Sequence, residues 1–552
     1  MKSFSKIKIK SALFLIIVLA GFFRLYGLNW DQSQHLHPDE RFLTMVANDI
    51  KIPSGFSQYL NPQTSTLSPY NNGYSFFVYG TFPLFLTKTV GVLTNNNNYG
   101  NLHFIGRFLS AFFDLGIVFL LFKIGQKISN DKVGILAAFF YSIMVLPIQL
   151  SHFFAVDTFL NFFLVLSFYL LLTLLSSKSF FSPSLFLGLS FGLALACKIS
   201  AFYFLPIIGL GYFSLLLKKI KPIKLFIFGI FFIITFIFVF RLAQPTAFSS
   251  GNFLNWQPNS QFISNLKELK SMSGSSSWYP PSVQWQSTKP IIFPLKNLIF
   301  WGLGLPLGII SIISVFFFIF QIVKKPKIYN ILIIFWILGL FTYQGIQFCK
   351  TMRYFLPIYP FLALLSANFL SKLKIKYLIP IIFMILVYPI SFLSIYSRPI
   401  TRVTASKWIY ENVPAGSTVT FEEWDDGLPL GLVNYPPANF KSQSLFMYDF
   451  DTPEKWQKLN EKLAKVEYIF LTSNRAYGST MKLPEKYPQT TKYYQSLFDN
   501  TGDFKKVAEF TSRPCFPPFG NKQFFCFKDD NADEAFTVYD HPKVIIFKKI
   551  NP

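Results

Sequence analysis

The sequence has 552 residues, 52% of them hydrophobic and 70 of them Phe, with a formal net charge of +24. That apolar content exceeds what a soluble domain of this size buries, which excludes a water-soluble enzyme and makes lipid the expected surrounding. The charge alone would suit nucleic acid, but the Lys residues cluster between hydrophobic runs, so it is a topology signal and no nucleic-acid partner is expected.

Apolar runs fall at 11-28, 103-122, 133-150, 158-175, 183-197, 201-217, 225-240, 297-323, 331-348, 354-371 and 377-396. These predict eleven membrane-spanning helices, with tilting and snorkelling ends covering the shorter runs. Lys2, Lys6, Lys8 and Lys10 precede the first run. Lys123, Lys127 and Lys132 follow the second, Lys178 follows the fourth, and Lys218, Lys219, Lys221 and Lys224 continue the series. Lys324, Lys325, Lys327, Lys372, Lys374 and Lys376 complete it. A basic connection at every second position puts the amino terminus in the cytoplasm. The first run contains Arg24 and lacks a small-residue cleavage site, so a retained anchor is expected rather than a signal peptide.

The stretch 74-93 is apolar as well, but as a span it would invert every later basic loop. With Pro83 and Lys88 inside it, it reads as a re-entrant or interfacial helix. The division expected is a membrane domain over 1-396, with outer loops 29-102 and 241-296, and an extracytoplasmic α/β domain over 397-552. In that tail, 417-421, 467-472, 504-511 and 536-548 read as strands, and 453-466 and 488-500 as helices. Cys515 and Cys526 flank a Pro/Gly loop where a local disulfide or two free thiols are equally open readings, while Cys197 and Cys349 read as packing residues.

Four groups carry possible chemistry. HLHPDER, from His35 to Arg41, follows the first run and brings Asp39 and Glu40 to the outer boundary; solvated loop acids are the plain alternative. SHFFAVD places Asp157 at the head of the fourth run, as a helix cap, a functional acid or both. Arg107, Lys198, Lys350 and Arg353 lie on the face that the positive-inside rule disfavours, where a phosphate would give them a purpose and snorkelling is the competing one. SWYPPSVQW, from Ser277 to Trp285, suits either sugar stacking or an interfacial aromatic belt. His35, His37 and His152 with Asp39 and Asp157 could in principle hold a divalent metal, but no fixed ligand spacing supports it; the absence of a metal is the favoured reading, and no other cofactor is expected. The cluster EEWDD, Glu422 to Asp426, is open between partner binding, cation binding and an exposed turn.

Together these motifs resemble the lipid-carrier-dependent glycosyltransferases with the C-type membrane fold, glycosyltransferase family 39, which includes protein O-mannosyltransferases and the aminoarabinose transferase of lipid A. HPDE at 37-40, GRFLSAFFDL at 106-115, SHFFAVD at 151-157, ACKISAFYFLP at 196-206 and MRYFLPIYPFLALLSA at 352-367 carry the resemblance. It implies an inverting hexosyl or pentosyl transfer from a polyprenyl-phosphate carrier to the hydroxyl of a protein, glycolipid or polysaccharide at the outer face of the cell membrane. Asp39 would be the general base, Glu40 would orient base or acceptor, and Asp157 would be the second acid of the site. Lys198 and Arg353 would hold the phosphate with help from Tyr354, and Gln284 and Trp285 would belong to a substrate loop. Relatives carry Lys-Pro-Pro where this chain has YGTFP at 79-83, so Tyr79, Arg107 or Lys88 would substitute for the missing Lys. A transporter or flippase of a lipid-linked substrate is the alternative; it needs polar groups through the midplane, which these run centres nearly lack.

Overall fold

The computed structural model describes residues 6–177, 179–218, 220–437, 439–520 and 522–550; Lys2, Lys178 and Lys219 of the basic clusters lie outside them. α1 (Lys6–Leu25) leads into a long connection that holds α2 (Pro38–Asp49), α3 (Phe56–Leu60) and α4 (Thr81–Leu93). There follow α5 (Tyr99–Ile128), α6 (Asp131–Ser142), α7 (Val145–Ser151), α8 (Val156–Ser176), α9 (Phe181–Cys197), α10 (Leu205–Leu217) and α11 (Pro222–Ala243). A second connection carries α12 (Ser260–Met272) and α13 (Ile292–Asn297), and α14 (Leu305–Lys324), α15 (Ile328–Gly345), α16 (Tyr359–Leu370) and α17 (Ile375–Tyr396) complete the bundle.

Among the described residues, seven helices are long and apolar enough to cross a membrane, or eight if the bent pair α6–α7 is one span. The count of eleven is therefore not established. α9 has 17 residues, α16 has 12 behind a 3-10 turn, and α1 carries Lys8, Lys10 and Arg24. The run at 297-323 is also interrupted, because Gly304 adopts φ +78° and α14 starts only at Leu305. α4 spans 13 residues, about 20 Å at 1.5 Å per residue, too short to cross.

The bundle interior is not free of charge. Arg24 Nε donates to Asp114 Oδ2 at 2.6 Å, and its Nη atoms donate to the carbonyls of Ser142 (2.9 Å) and Tyr141 (3.3 Å). Those carbonyls end α6, where the chain bends by 59° into α7 and loses its own helical donors. Backbone groups freed inside a bilayer need internal partners; Arg24 supplies one to the Ser142 carbonyl and adds to the Met144 amide at the Tyr141 carbonyl. The Tyr141 hydroxyl donates to Asp114 Oδ1 at 2.5 Å and accepts from Asn161, so both charges of the pair are tied into one network.

The tail opens with α18 (Thr401–Asn412) and holds a five-stranded sheet of order β2-β1-β3-β7-β4. Its strands are β1 (Thr418–Glu422), β2 (Lys441–Leu445), β3 (Tyr468–Leu471), β4 (Phe504–Phe510) and β7 (Val544–Lys549), with β1 parallel to β2 and β3, and β7 antiparallel to β3 and β4. Alternation sorts the side chains. Tyr468, Phe470, Val544 and Ile546 pack under Ala405 and Ile409 of α18. Ile469, Leu471, Ile545 and Phe547 meet Trp456, Leu459, Tyr494 and Leu497 from α19 (Pro453–Ala464) and α21 (Pro488–Phe498); α20 (Tyr477–Thr480) lies between these two helices in sequence. The expected strand 536-548 is shorter. Asp533 caps a helical turn, α22 (Glu534–Thr537), and only Val544 onward pairs. Cys515 and Cys526 are joined in a disulfide across the two-stranded ribbon β5 (Cys515–Phe516) and β6 (Phe525–Cys526), whereas Cys197 and Cys349 are free.

Candidate active site

α2 begins with His37 as its cap and Pro38 in its first turn; the His37 Nδ1 accepts from the Glu40 amide at 3.3 Å. This start fixes Asp39 and Glu40 about 100° apart around the helix, so the two neighbouring carboxylates face different surroundings.

Asp39 lines a cleft of about 520 Å³ with Arg41, Tyr79, Tyr279, Gln284, Trp285, Arg353 and Tyr354. Arg353 pairs with its Oδ2, and the Tyr79 hydroxyl bonds to the same carboxylate. Burial opposes ionisation there, but the Arg353 charge and the bonds from Arg353 and Tyr79 outweigh it and hold Asp39 below the usual carboxylate range. Burial, reinforced by Arg353 and Arg107, pushes His37 down to about 4, so this cap is neutral at physiological pH.

Lys198 and Asp157 are not among the residues that line this cleft; Lys198 follows the last residue of α9 and pairs with Asp157 Oδ1 at 2.9 Å, in the first turn of α8. The Tyr354 ring joins the two ion pairs. The Lys198 ammonium lies 5.0 Å from its centroid, and the Arg353 guanidinium carbon lies 5.7 Å away. Gly80 sets the approach of this wall. Its amide donates to the Cys197 carbonyl at 3.0 Å, and a Cβ there would sit 2.0 Å from the Ala196 carbonyl.

Glu40 and Arg107 are elsewhere. Glu40 is fully buried and accepts from Arg107 at 2.5 and 2.9 Å and from the Phe154 amide at 2.8 Å. Arg107 also holds Asp31, at 2.9 Å, and the Leu28 carbonyl. Neither lines the cleft, because the helix twist turns Glu40 into the packing between α2 and α5. Direct contact of Glu40 with an acceptor, or of Arg107 with a phosphate, in this cleft is therefore corrected: the two form a buried ion pair behind α2, with Glu40 next to Asp39 in the chain. Lys88 is likewise turned away and donates to the Asn48 carbonyl at 3.2 Å. Lys350 donates to the Thr288 hydroxyl at 2.8 Å and lies over Trp285, bracing the loop that carries Gln284. His152 bridges the Ile148 and Tyr26 carbonyls, and His35 stacks on Tyr99.

The sequence did not reveal that the tail walls the cleft. Trp424, Asp425, Asp426, Arg475, Glu534 and Tyr539 line its far side. Asp426 pairs with Arg41 at 2.6 Å, Asp425 with Arg402 at 2.6 Å, and Arg475 with Glu534 at 2.6 Å. Asp533 receives the Met352 amide at 2.7 Å, which fixes the residue before Arg353 from the tail side. The available signal was EEWDD, and Trp424 within it adopts φ +72°, a conformation uncommon for a bulky residue.

Residues 99–240, from α5 to α11, match the family model of dolichyl-phosphate-mannose-protein mannosyltransferase. Among solved structures, the chain is similar to the archaeal oligosaccharyltransferase AglB from Archaeoglobus fulgidus in complex with an inhibitory peptide and a dolichol-phosphate. The TM-score is 0.54 at 12% identity, over 89% of this chain and 73% of that one. This is the C-type glycosyltransferase fold. A second structure of the Archaeoglobus fulgidus oligosaccharyltransferase, tethered with an acceptor peptide containing the NVT sequon, aligns over 99% of this chain and 89% of its own at TM-score 0.52 and 12% identity. ArnT from Cupriavidus metallidurans bound to undecaprenyl phosphate aligns over 69% of this chain and 65% of its own at 13% identity and TM-score 0.42. No curated protein matches the sequence. Within the C-type fold, the cleft described here lies between the membrane bundle and the tail, with its carboxylate on the first long connection.

Proposed function

We propose that the chain moves a sugar from a polyprenyl-phosphate carrier to an acceptor hydroxyl at the outer face of the membrane, with inversion at the anomeric carbon. The observation that carries the proposal is the Asp39–Arg353 pair in a cleft walled by bundle and tail, coupled through Tyr354 to Lys198 and Asp157. The match to a dolichyl-phosphate-mannose family over 99–240 supports the carrier class, as does the C-type fold shared with an enzyme solved with a dolichol-phosphate.

Held by Arg353, Asp39 is ionised but a weak base. A donor phosphate entering the cleft competes for Arg353 and Lys198 through charge-assisted hydrogen bonds. As the phosphate takes Arg353, Asp39 loses the charge that depressed its basicity and becomes free to accept the acceptor proton. The acceptor oxygen then bonds to the anomeric carbon while the bond from that carbon to the phosphate oxygen breaks. Arg353 and Lys198 hold the negative charge left on the carrier phosphate. Tyr79 keeps Asp39 oriented, and Asp157 keeps Lys198 extended toward Tyr354.

The transporter alternative asks for a polar route through the bilayer. The deep polar network of Arg24, Asp114, Tyr141 and Asn161 is instead fully buried and its charges are paired with each other, which favours chemistry at one face. Reconstituted vesicles supplied with a panel of polyprenyl-phosphate sugars and mixed acceptors provide the test. Release of free polyprenyl phosphate together with a glycosylated acceptor is the expected result; movement of intact donor between leaflets without release would overturn the proposal.

A further inference from the structure

The disulfide-closed ribbon of β5 and β6 has no part in the cleft, yet it is the most aromatic exposed segment of the tail. Phe524 is 79% exposed, and Phe519 and Phe525 are each 45% exposed. Its position gives those faces a meaning. Phe527, just after β6, packs edge-on against Tyr388 of α17 with centroids 5.0 Å apart. Tyr388 lies eight residues before the end of α17 at Tyr396, about 12 Å lower along a helix rising 1.5 Å per residue. On the other side Phe519 meets Tyr26, beyond the end of α1, and Tyr26 in turn packs on Phe22, which is exposed on the bundle surface.

The backbone of the ribbon is prepared for a dry surrounding. Cys515 pairs with Cys526 and Phe516 with Phe525, the Phe524 amide donates to the Phe516 carbonyl, and the Phe527 amide donates to the Pro514 carbonyl. Two further groups turn to the end of α17. The Cys515 amide donates to the Ser394 hydroxyl at 2.8 Å, and the Ser397 hydroxyl donates to the Pro518 carbonyl at 2.7 Å. A non-helical segment at membrane depth needs this internal satisfaction. Lys522 and Lys528 are exposed beside the aromatic tip, where lipid phosphates would meet them.

We propose that residues 515–520 and 522–527 form a membrane anchor of the tail, with Phe519, Phe524 and Phe525 immersed in the outer leaflet beside α1 and α17. The partner is the lipid surface itself, because the exposed faces continue those of two helices of the bundle. The anchor leads within a few residues to Asp533 and Glu534, so it holds the cleft's tail-side wall against the membrane. This inference is independent of the transfer chemistry.

The test replaces Phe524 with the photoreactive residue 4-benzoylphenylalanine, a conservative exchange, in the full chain reconstituted in phosphatidylcholine and phosphatidylglycerol nanodiscs. Phe316, 67% exposed on α14, serves as the lipid-facing reference, and Phe450, 73% exposed on the tail, serves as the water-facing one. Mass spectrometry after irradiation is expected to show lipid adducts at 524 at the level of 316 and well above 450. Labelling at 524 no higher than at 450, or adducts to protein in place of lipid, would overturn the anchor.

Discussion

Adjacent carboxylates at 39 and 40 do unrelated work because one helical step separates the cleft from the packed interior. Replacing Glu40 with Ala strips Arg107 of its bidentate partner while leaving it buried with Asp31. Breaking such a pair costs about 3 to 5 kcal/mol, and chemical or thermal unfolding of the purified protein should show that loss. Two buried groups of the tail give its stability a pH dependence of known sign. Burial disfavours the charged form of His541, but Asp540 and Asp529, at 2.5 and 3.1 Å, overcome this and raise it to about 10. A raised pKa stabilises fully below the unfolded value of 6.5, and that stabilisation is lost as pH rises through about 10. Glu422, pushed up to about 8 by burial and by Asp425, loses its contribution between 4.5 and 8 in the same direction. Melting temperature should therefore fall from neutral to alkaline pH. His541→Gln should start lower and show a flatter decline above pH 7; an unchanged slope would contradict the charged imidazole.

At the scale of elements, the walls of the cleft depend on close backbone contact. Gly80→Ala would force α4 away from the end of α9, since the new Cβ would meet the Ala196 and Cys197 carbonyls. Tyr79 would move with it, so the expected outcome is a rise in donor KM larger than the change in melting temperature; unchanged KM would show that Tyr79 is not positioned by this contact. What the sequence made readable follows from locality. Lys198, Arg353 and Tyr354 sit at the ends of apolar runs, and Asp39 and Tyr79 in the first long connection, so a common sidedness made them candidates for one place. The helix twist that turns Glu40 inward was equally local, but it becomes visible only once the start of α2 at Pro38 is fixed. The Arg24–Asp114 pair was missed because each residue looks isolated inside an apolar run, and their partnership depends on how α1, α5 and the α6–α7 bend pack. The 536-548 segment was read as one strand because its apolar residues do not show that Asp533 caps a turn or that Asp540 and His541 are committed to other contacts.

For the whole molecule, the consequence is a site made from both halves of the chain. No periodicity in 397-552 indicates that Trp424, Asp425 and Glu534 share a cleft with Asp39, since it joins segments 385 to 495 residues apart. Asp533 ties the tail to the residue before Arg353 through the Met352 amide. Asp533→Ala should lower turnover while leaving the bundle's own unfolding little changed; equal turnover would remove the tail from the mechanism. The most direct test of the central claim compares wild type, Asp39→Asn and Asp157→Asn in reconstituted vesicles with a polyprenyl-phosphate sugar that wild type consumes, following donor binding and release of carrier phosphate together. The account predicts that Asp39→Asn folds and binds donor but loses transfer by about 100-fold or more, the scale of a missing general base, and that Asp157→Asn weakens donor binding through Lys198. Transfer by Asp39→Asn at the wild-type rate would contradict it.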